Sequence, residues 1–146
     1  MPAKYMSFNS RLVVEILALD IGSKRVGIAR ASLKARLAQP LNTVKTDEAI
    51  EQLKEIIKQN QVKMIVAGLP RNLSGDDTQQ TRWVRDWVAI AKTQLGVPFY
   101  WQDEALTSHE VEKQNRGAKV ADVDAQAAAI ILEDFLKTDK IDRVLV

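Results

Sequence analysis

The sequence predicts an α/β fold: a mixed five-stranded sheet, built from a three-strand antiparallel meander plus two parallel strands and flanked by helices. Two observations carry this. The apolar run 16–19 closes on Asp20, a tight turn with Gly22, Lys24 and Arg25 follows, and a second apolar run opens at Val26. So short a turn requires antiparallel pairing. Downstream, apolar runs at 62–67 and 97–101 each follow a stretch with apolar residues at helical spacing. Helical crossovers join parallel strands, and do so with right-handed topology.

The elements follow in order. Residues 1–11 are polar, lack the apolar segment of a signal peptide, and read as an N-terminal arm. Strands are expected at 13–20 and 26–32, with a third at 35–41 whose Gln39-Pro40 suits a sheet edge. Asp47 and Glu48 open a helix, favoured there by its dipole. Ile50, Leu53, Ile56 and Ile57 give it one apolar stripe, and it ends near Asn60. The strand 62–67 stops at Gly68-Leu69-Pro70. In the loop that follows, Ser74 with Asp77 has the pattern of a capping box. The next helix carries Trp83, Val84, Trp87, Val88, Ala91 and Leu95 on one side, with Gly96 as its stop. That stripe reads as core; base stacking by the two tryptophans is the alternative. After strand 97–101 come Asp103-Glu104, and a second capping box, Thr107 with Glu110, starts a short helix that frays into Asn115-Arg116-Gly117. The last helix begins near Asp122 and runs to about Lys137, with alanines at 125 and 127–129 permitting close approach to a sheet. One domain is expected over 12–138, and 139–146 is a tail whose apolar end suits a docked strand or a partner contact.

The 146 residues fit one domain, and 46% hydrophobic content fits one ordinary core. A net charge of +2 does not announce nucleic acid by itself, but Lys24, Arg25, Arg71, Arg116 and Lys119 fall in expected loops. The absence of cysteine excludes disulfides, thiol catalysis and cysteine zinc sites, and fits a reducing cytosol. No apolar run approaches membrane-spanning length, so a soluble, cytoplasmic protein is expected.

Ligands of such sheets sit beyond the carboxyl ends of the parallel strands. Asp20, Gly68 and Asp103-Glu104 lie at such ends. In the last helix Asp124, Ala128, Ile131 and Phe135 recur at i, i+4, i+7 and i+11, the face it should bury. An acid at the top of that stripe points toward the sheet edge. Three carboxylates from distant segments are therefore expected to meet there: Asp20, Glu104 and Asp124. Clustered carboxylates repel unless neutralised. Mg²⁺ or Mn²⁺, which prefer oxygen ligands, relieve this. Two such ions roughly 3.5–4 Å apart can activate water and stabilise the leaving oxygen of a phosphodiester. Nearby lysines and arginines would hold the flanking phosphates. Each acid also has a plain structural reading: Asp20 as a turn cap, Glu104 as a surface residue, Asp124 as a complement to the helix dipole. Asp76, Asp77 and Asp103 are further candidate ligands. The single histidine, His109, reads as exposed rather than catalytic, and no phosphate-binding Walker loop or dinucleotide fingerprint is present.

The stretch Leu19-Asp20-Ile21-Gly22-Ser23-Lys24-Arg25-Val26-Gly27-Ile28-Ala29 resembles the opening motif of the YqgF family, bacterial proteins related to Holliday junction resolvases. Gly68-Leu69-Pro70-Arg71-Asn72-Leu73-Ser74-Gly75 resembles its Gly-Leu-Pro loop, Asp103-Glu104-Ala105-Leu106-Thr107-Ser108 its Asp-Glu motif, and Val123-Asp124-Ala125 its last motif. The resemblance, with these four motifs in order, runs from about residue 12 to residue 136. The resemblance implies a ribonuclease-H-like fold and metal-dependent phosphodiester cleavage, with acidic ligands at Asp20, Glu104 and Asp124. Nucleic-acid contacts are expected from Lys24, Arg25, Arg71, Asn72, Arg116 and Lys119. Members are regarded as nucleases that mature the 5′ end of pre-16S rRNA; older assignments make them resolvases of branched DNA. Two positions depart from the pattern: Ala105 replaces a common arginine, and Arg71 stands where an apolar residue is common, which bears on substrate grip at that loop.

The leading expectation is a nuclease acting on structured RNA, as monomer or homodimer. A junction resolvase, which cuts two strands symmetrically, needs a dimer. An actin-type ATPase shares the Asp-x-Gly turn but uses two related domains, and a non-catalytic RNA-binding module would bind without any metal.

Overall fold

The spine of the sheet is β1 (Val14–Ile21), with β2 (Arg25–Ser32) antiparallel on one side. In this computed structural model, which describes residues 13–104 and 120–146, the chain continues as β3 (Gln39–Lys45), α1 (Thr46–Gln59), β4 (Gln61–Leu69), α2 (Gln79–Leu95) and β5 (Phe99–Asp103). It closes with α3 (Val120–Lys137), a single 3₁₀ turn (Lys140–Asp142) and β6 (Val144–Leu145). Strand order is β3-β2-β1-β4-β5-β6. β4 runs parallel to β1 and β5 parallel to β4, while β6 returns antiparallel on β5. The N-terminal arm 1–11 and the Thr107–Glu110 capping box with its helix, His109, Arg116 and Lys119 lie outside the described residues.

The expected mixed sheet is present, with six strands rather than five. The tail supplies the sixth: the Val146 amide donates to the Phe99 carbonyl at 2.9 Å, and the Lys92 ammonium holds the Val146 carbonyl at 2.8 Å. The third strand also lies later than the expected 35–41. Residues 33–38 are spent on a turn, with Arg36 in the left-handed region at φ 55°. The Arg36 guanidinium reaches the Leu136 carbonyl at the end of α3, 2.6 Å away. Pro40 then sits where the β2–β3 register shifts, so its missing donor falls at an irregularity.

Both faces of the sheet are covered. Alternate residues Leu17, Leu19 and Ile21 of β1, with Ile28, Ile65 and Phe99, meet Leu53 and Ile56 of α1 and Val84, Val88 and Ala91 of α2. The opposite set, Ile16, Ala18, Ala29, Ala31, Met64 and Val66, meets Ala128, Ile131, Leu132 and Phe135 of α3. The small residues on the second face bring α3 close to the strands. This is the stripe read from the sequence, and Asp124 heads it, in the second turn rather than the first.

α2 is capped by Thr78, not Ser74. Thr78 and Thr81 satisfy each other reciprocally, and the buried Thr81 hydroxyl also donates to the Pro70 carbonyl. Ser74 is drawn elsewhere: the Asn72 side-chain oxygen accepts from the Ser74 and Asp76 amides, which prolongs the loop. Gly96 ends α2 in the left-handed conformation, φ 71°, as its position suggests.

At the end of β1 away from the acids, Glu15 is 3% exposed and lies 2.8 Å from Arg30. The contact is Coulombic: Glu15 Oε2 lacks a well-aligned hydrogen bond. Desolvation raises the Glu15 pKa above its ordinary 4.5, and Arg30 only partly opposes this. A carboxyl with a raised folded pKa stabilises the fold while protonated, and loses that contribution as pH climbs from about 4.5 through the folded value. Glu15→Gln is therefore expected to melt above the wild type at neutral pH, the gap closing as pH falls toward 4.5. Melting curves across that range check it; a gap independent of pH refutes it.

Candidate active site

Side-chain alternation decides where the acids point. Ile16 and Ala18 face α3, so Asp20 does too, at the carboxyl end of β1. Asp20 pairs with Gly27 of β2. Gly27 lies directly under α3: a Cβ there would fall inside the Asp124 carbonyl and 2.8 Å from the Ala125 amide nitrogen. The helix backbone thus rests on the residue beside Asp20, and Asp124 reaches the same depression.

The other flank is built the same way. Met64 and Val66 face α3, so Gly68 does, one step beyond the Leu19↔Ala67 pair and level with Asp20. The Glu104 amide donates to the Leu69 carbonyl at 3.0 Å, just past the end of β5. Its carboxylate lies over Gly68: a Cβ there would collide with Glu104 Oε2 and stand 2.9 Å from Cδ. Asp20 is therefore central, between Asp124 above β2 and Glu104 above β4. Asp103, one residue earlier, alternates away with Trp101 toward the α1–α2 face.

The β1–β2 turn is fixed as a unit. The Gly22 amide donates to the Arg25 carbonyl at 2.9 Å. Thr46, at the start of α1, donates its hydroxyl to the Gly22 carbonyl (2.6 Å) and its amide to the Lys24 carbonyl (3.0 Å). Lys24 thereby stands on a braced turn at the rim of an open depression of about 270 Å³, lined also by Asp20, Gly22, Ser23, Gln80 and Asp124. Arg25 Nε pairs with Asp124 Oδ2 at 2.9 Å.

Lys24 and Arg25 line the depression with Asp20 and Asp124. Arg71 and Asn72 are committed to their own loop and, for Arg71, to the end of β5. Arg71 donates to the Gly75 carbonyl at 3.1 Å and lies 3.6 Å from Asp77 and 3.5 Å from Asp103. Asn72 organises the loop as described. Sequence reasoning placed Gly68 at this end of the sheet without its role beneath Glu104, and it missed Gly27 and Gln80; the part each glycine plays carries a signal only once register and helix packing are known.

The chain matches the family model described as "RuvX: Holliday junction resolvase" over residues 14–138. It belongs to the RuvX family. Curated relatives of this RuvX chain carry the name "Putative pre-16S rRNA nuclease". One from Chloroflexus aurantiacus is 36% identical over 130 residues, 83% of this chain and 85% of the relative. Another, from Koribacter versatilis, is 35% identical over 139 residues, 88% and 90% of the two chains. Among solved structures, Thermus thermophilus RuvC in complex with a Holliday junction substrate superposes with a TM-score of 0.60 at 15% identity, covering 91% of this chain and 99% of that one. A second Thermus thermophilus RuvC structure gives 0.57 at 14% identity, covering 90% of this chain and 99% of that one. These likenesses show the ribonuclease-H-like fold.

Carboxylate oxygens suit a hard cation, and Asp20 and Asp124 border the open depression while the Glu104 carboxylate lies over Gly68. The RuvX site is not a closed cage. Among the described residues no group of three histidine, cysteine or acidic side chains is gathered closely enough to hold an ion, and Asp124 is turned onto Arg25.

Proposed function

We propose that this RuvX protein is a metal-dependent nuclease, a hydrolase of nucleic-acid phosphodiesters that acts on structured RNA in 5′-end maturation of pre-16S rRNA. The observation that carries the reading is the placement of Asp20, Glu104 and Asp124 at one end of the sheet beside Lys24. The name of the curated relatives supports the substrate.

Asp20, Glu104 and Asp124 would hold Mg²⁺ or Mn²⁺, which supplies an acidified water and charge neutralisation at the phosphate. The chain's own residues do the rest. Asp20, on a buried strand, has little freedom and fixes the reacting position. Glu104 is set by the end of β5 and by the gap that Gly68 leaves. Lys24, on its braced turn, binds a phosphate oxygen as a point charge. Arg25 neutralises Asp124 until the phosphate arrives and is then placed to bind that phosphate. Arg116 and Lys119 are proposed as further phosphate contacts, while Arg71 and Asn72 shape the loop that borders the strand's path.

Cutting of branched DNA is the second reading, favoured by the family's description and by the RuvC-like fold. The proposed location is the cytoplasm; no helix among the described residues is long and apolar enough to cross a membrane. A panel of pre-16S rRNA fragments, single-stranded RNA, duplex and four-way junction, each with Mg²⁺, Mn²⁺ or EDTA, tests the reading. Cutting of the pre-rRNA with either metal and none in EDTA is expected. Cutting of the junction alone would transfer the assignment to the resolvase, and metal-independent binding without cutting would end the nuclease reading.

A further inference from the structure

We infer that Trp83 is the stacking platform for an unpaired nucleobase beside the scissile phosphate, so that the enzyme requires a single-stranded nucleotide flanking its cut. This rests on the nuclease reading for the position of the phosphate, but the platform itself is read from α2. The helix buries Val84, Val88, Ala91 and Leu95, and Trp87 packs against that core. Trp83, expected from its spacing to join them, is instead 38% exposed. Its indole lines a second open depression, about 360 Å³, with Ser23, Gln79 and Gln80. Volumes of that order accommodate small organic groups.

The two depressions are neighbours. Ser23 and Gln80 border both, so a strand with its phosphate at Asp20, Asp124 and Lys24 has its adjacent nucleotide at Trp83. There the indole offers a face, and the amides of Gln79 and Gln80 offer donors and acceptors to a base edge. A base inside a duplex is already stacked and paired and does not present itself in this way. Unpaired bases do, and aromatic residues are the usual surface for them. Stacking tolerates every base, so the platform selects strandedness rather than sequence.

The test uses the full chain and an RNA with a single-stranded 5′ segment, with 2-aminopurine moved one position at a time past the cut. Cleavage is followed in Mg²⁺ and binding in EDTA. In wild type, quenching should peak at one position next to the cut. Trp83→Ala should weaken binding and raise KM about 5- to 150-fold, the range for loss of one stacked base, with kcat less affected. Trp83→Phe should restore most of it. An abasic site at the quenched position should weaken wild type by a similar factor and Trp83→Ala no further. Equal binding and KM for Trp83→Ala and wild type, or additive losses with the abasic RNA, would overturn the inference; so would a role of Trp83 in docking another protein, which leaves RNA binding intact. Persistent quenching without any cleavage would remove the nuclease reading and keep the platform. Cleavage by Trp83→Ala with wild-type KM and wild-type binding would do the reverse.

Discussion

Asp20→Asn is expected to lower the cleavage rate by about 10³-fold or more, because a site that loses its central metal ligand forfeits several kcal/mol of transition-state stabilisation. The melting temperature should hold or rise slightly. The substitution keeps shape and removes one of three like charges from one end of the sheet, which relieves repulsion. Asp103→Asn is the matched control. It lies in the same Asp-Glu motif as Glu104, yet strand alternation turns it to the opposite face, 3.5 Å from Arg71. Its rate should stay within a few-fold of wild type. Single-turnover cleavage at saturating Mg²⁺, with thermal melts of the same samples, measures both. Full activity in Asp20→Asn, or equal losses in the two variants, would show that the reacting phosphate is elsewhere.

What could be read from the sequence was what local chemistry dictates. The Ile21–Arg25 turn admits only an antiparallel pair, and β1 and β2 are as that turn requires. The α3 stripe has a single period over three turns, so its buried face, and with it Asp124, followed from spacing. Asp20 and Glu104 followed from where apolar runs end. The features missed were set by distant partners. β3 moved because Arg36 is tied to Leu136, 100 residues away. The cap of α2 fell on Thr78 because Thr81 also answers to Pro70. The sixth strand exists because an otherwise unpaired β5 edge was available to the tail. Trp83 has helical spacing indistinguishable from that of a core residue; only the packed helix shows that it looks outward. Arg71 looked like a free loop cation, and two acids of neighbouring segments occupy it.

Two glycines separate the integrity of the fold from the geometry of the site. At Gly27 a Cβ would enter the backbone of α3, at the Asp124 carbonyl and the Ala125 amide. Backbone cannot rotate out of the way, so the helix must lift off β2, where Ala29 and Ala31 also need it close. Gly27→Ala is therefore expected to fall at or above the upper end for overpacking, about 3 kcal/mol. For a chain of this size that lowers the melting temperature by about 6–12 °C. At Gly68 the atoms nearest the new Cβ are those of the Glu104 carboxylate and Ile131 Cδ1, both ends of rotatable side chains. They can turn aside, and the fold should lose only about 1 kcal/mol. The displaced carboxylate is one of the three proposed to hold the metal, and a shift of about 1 Å in a catalytic group can lower the rate about 10²-fold. So Gly27→Ala should show chiefly in melting and Gly68→Ala chiefly in rate. If Gly68→Ala cleaves normally while Glu104→Gln does not, the carboxylate reaches its working position by a path other than the gap over β4. If Gly68→Ala melts as low as Gly27→Ala, that gap supports the core rather than the chemistry.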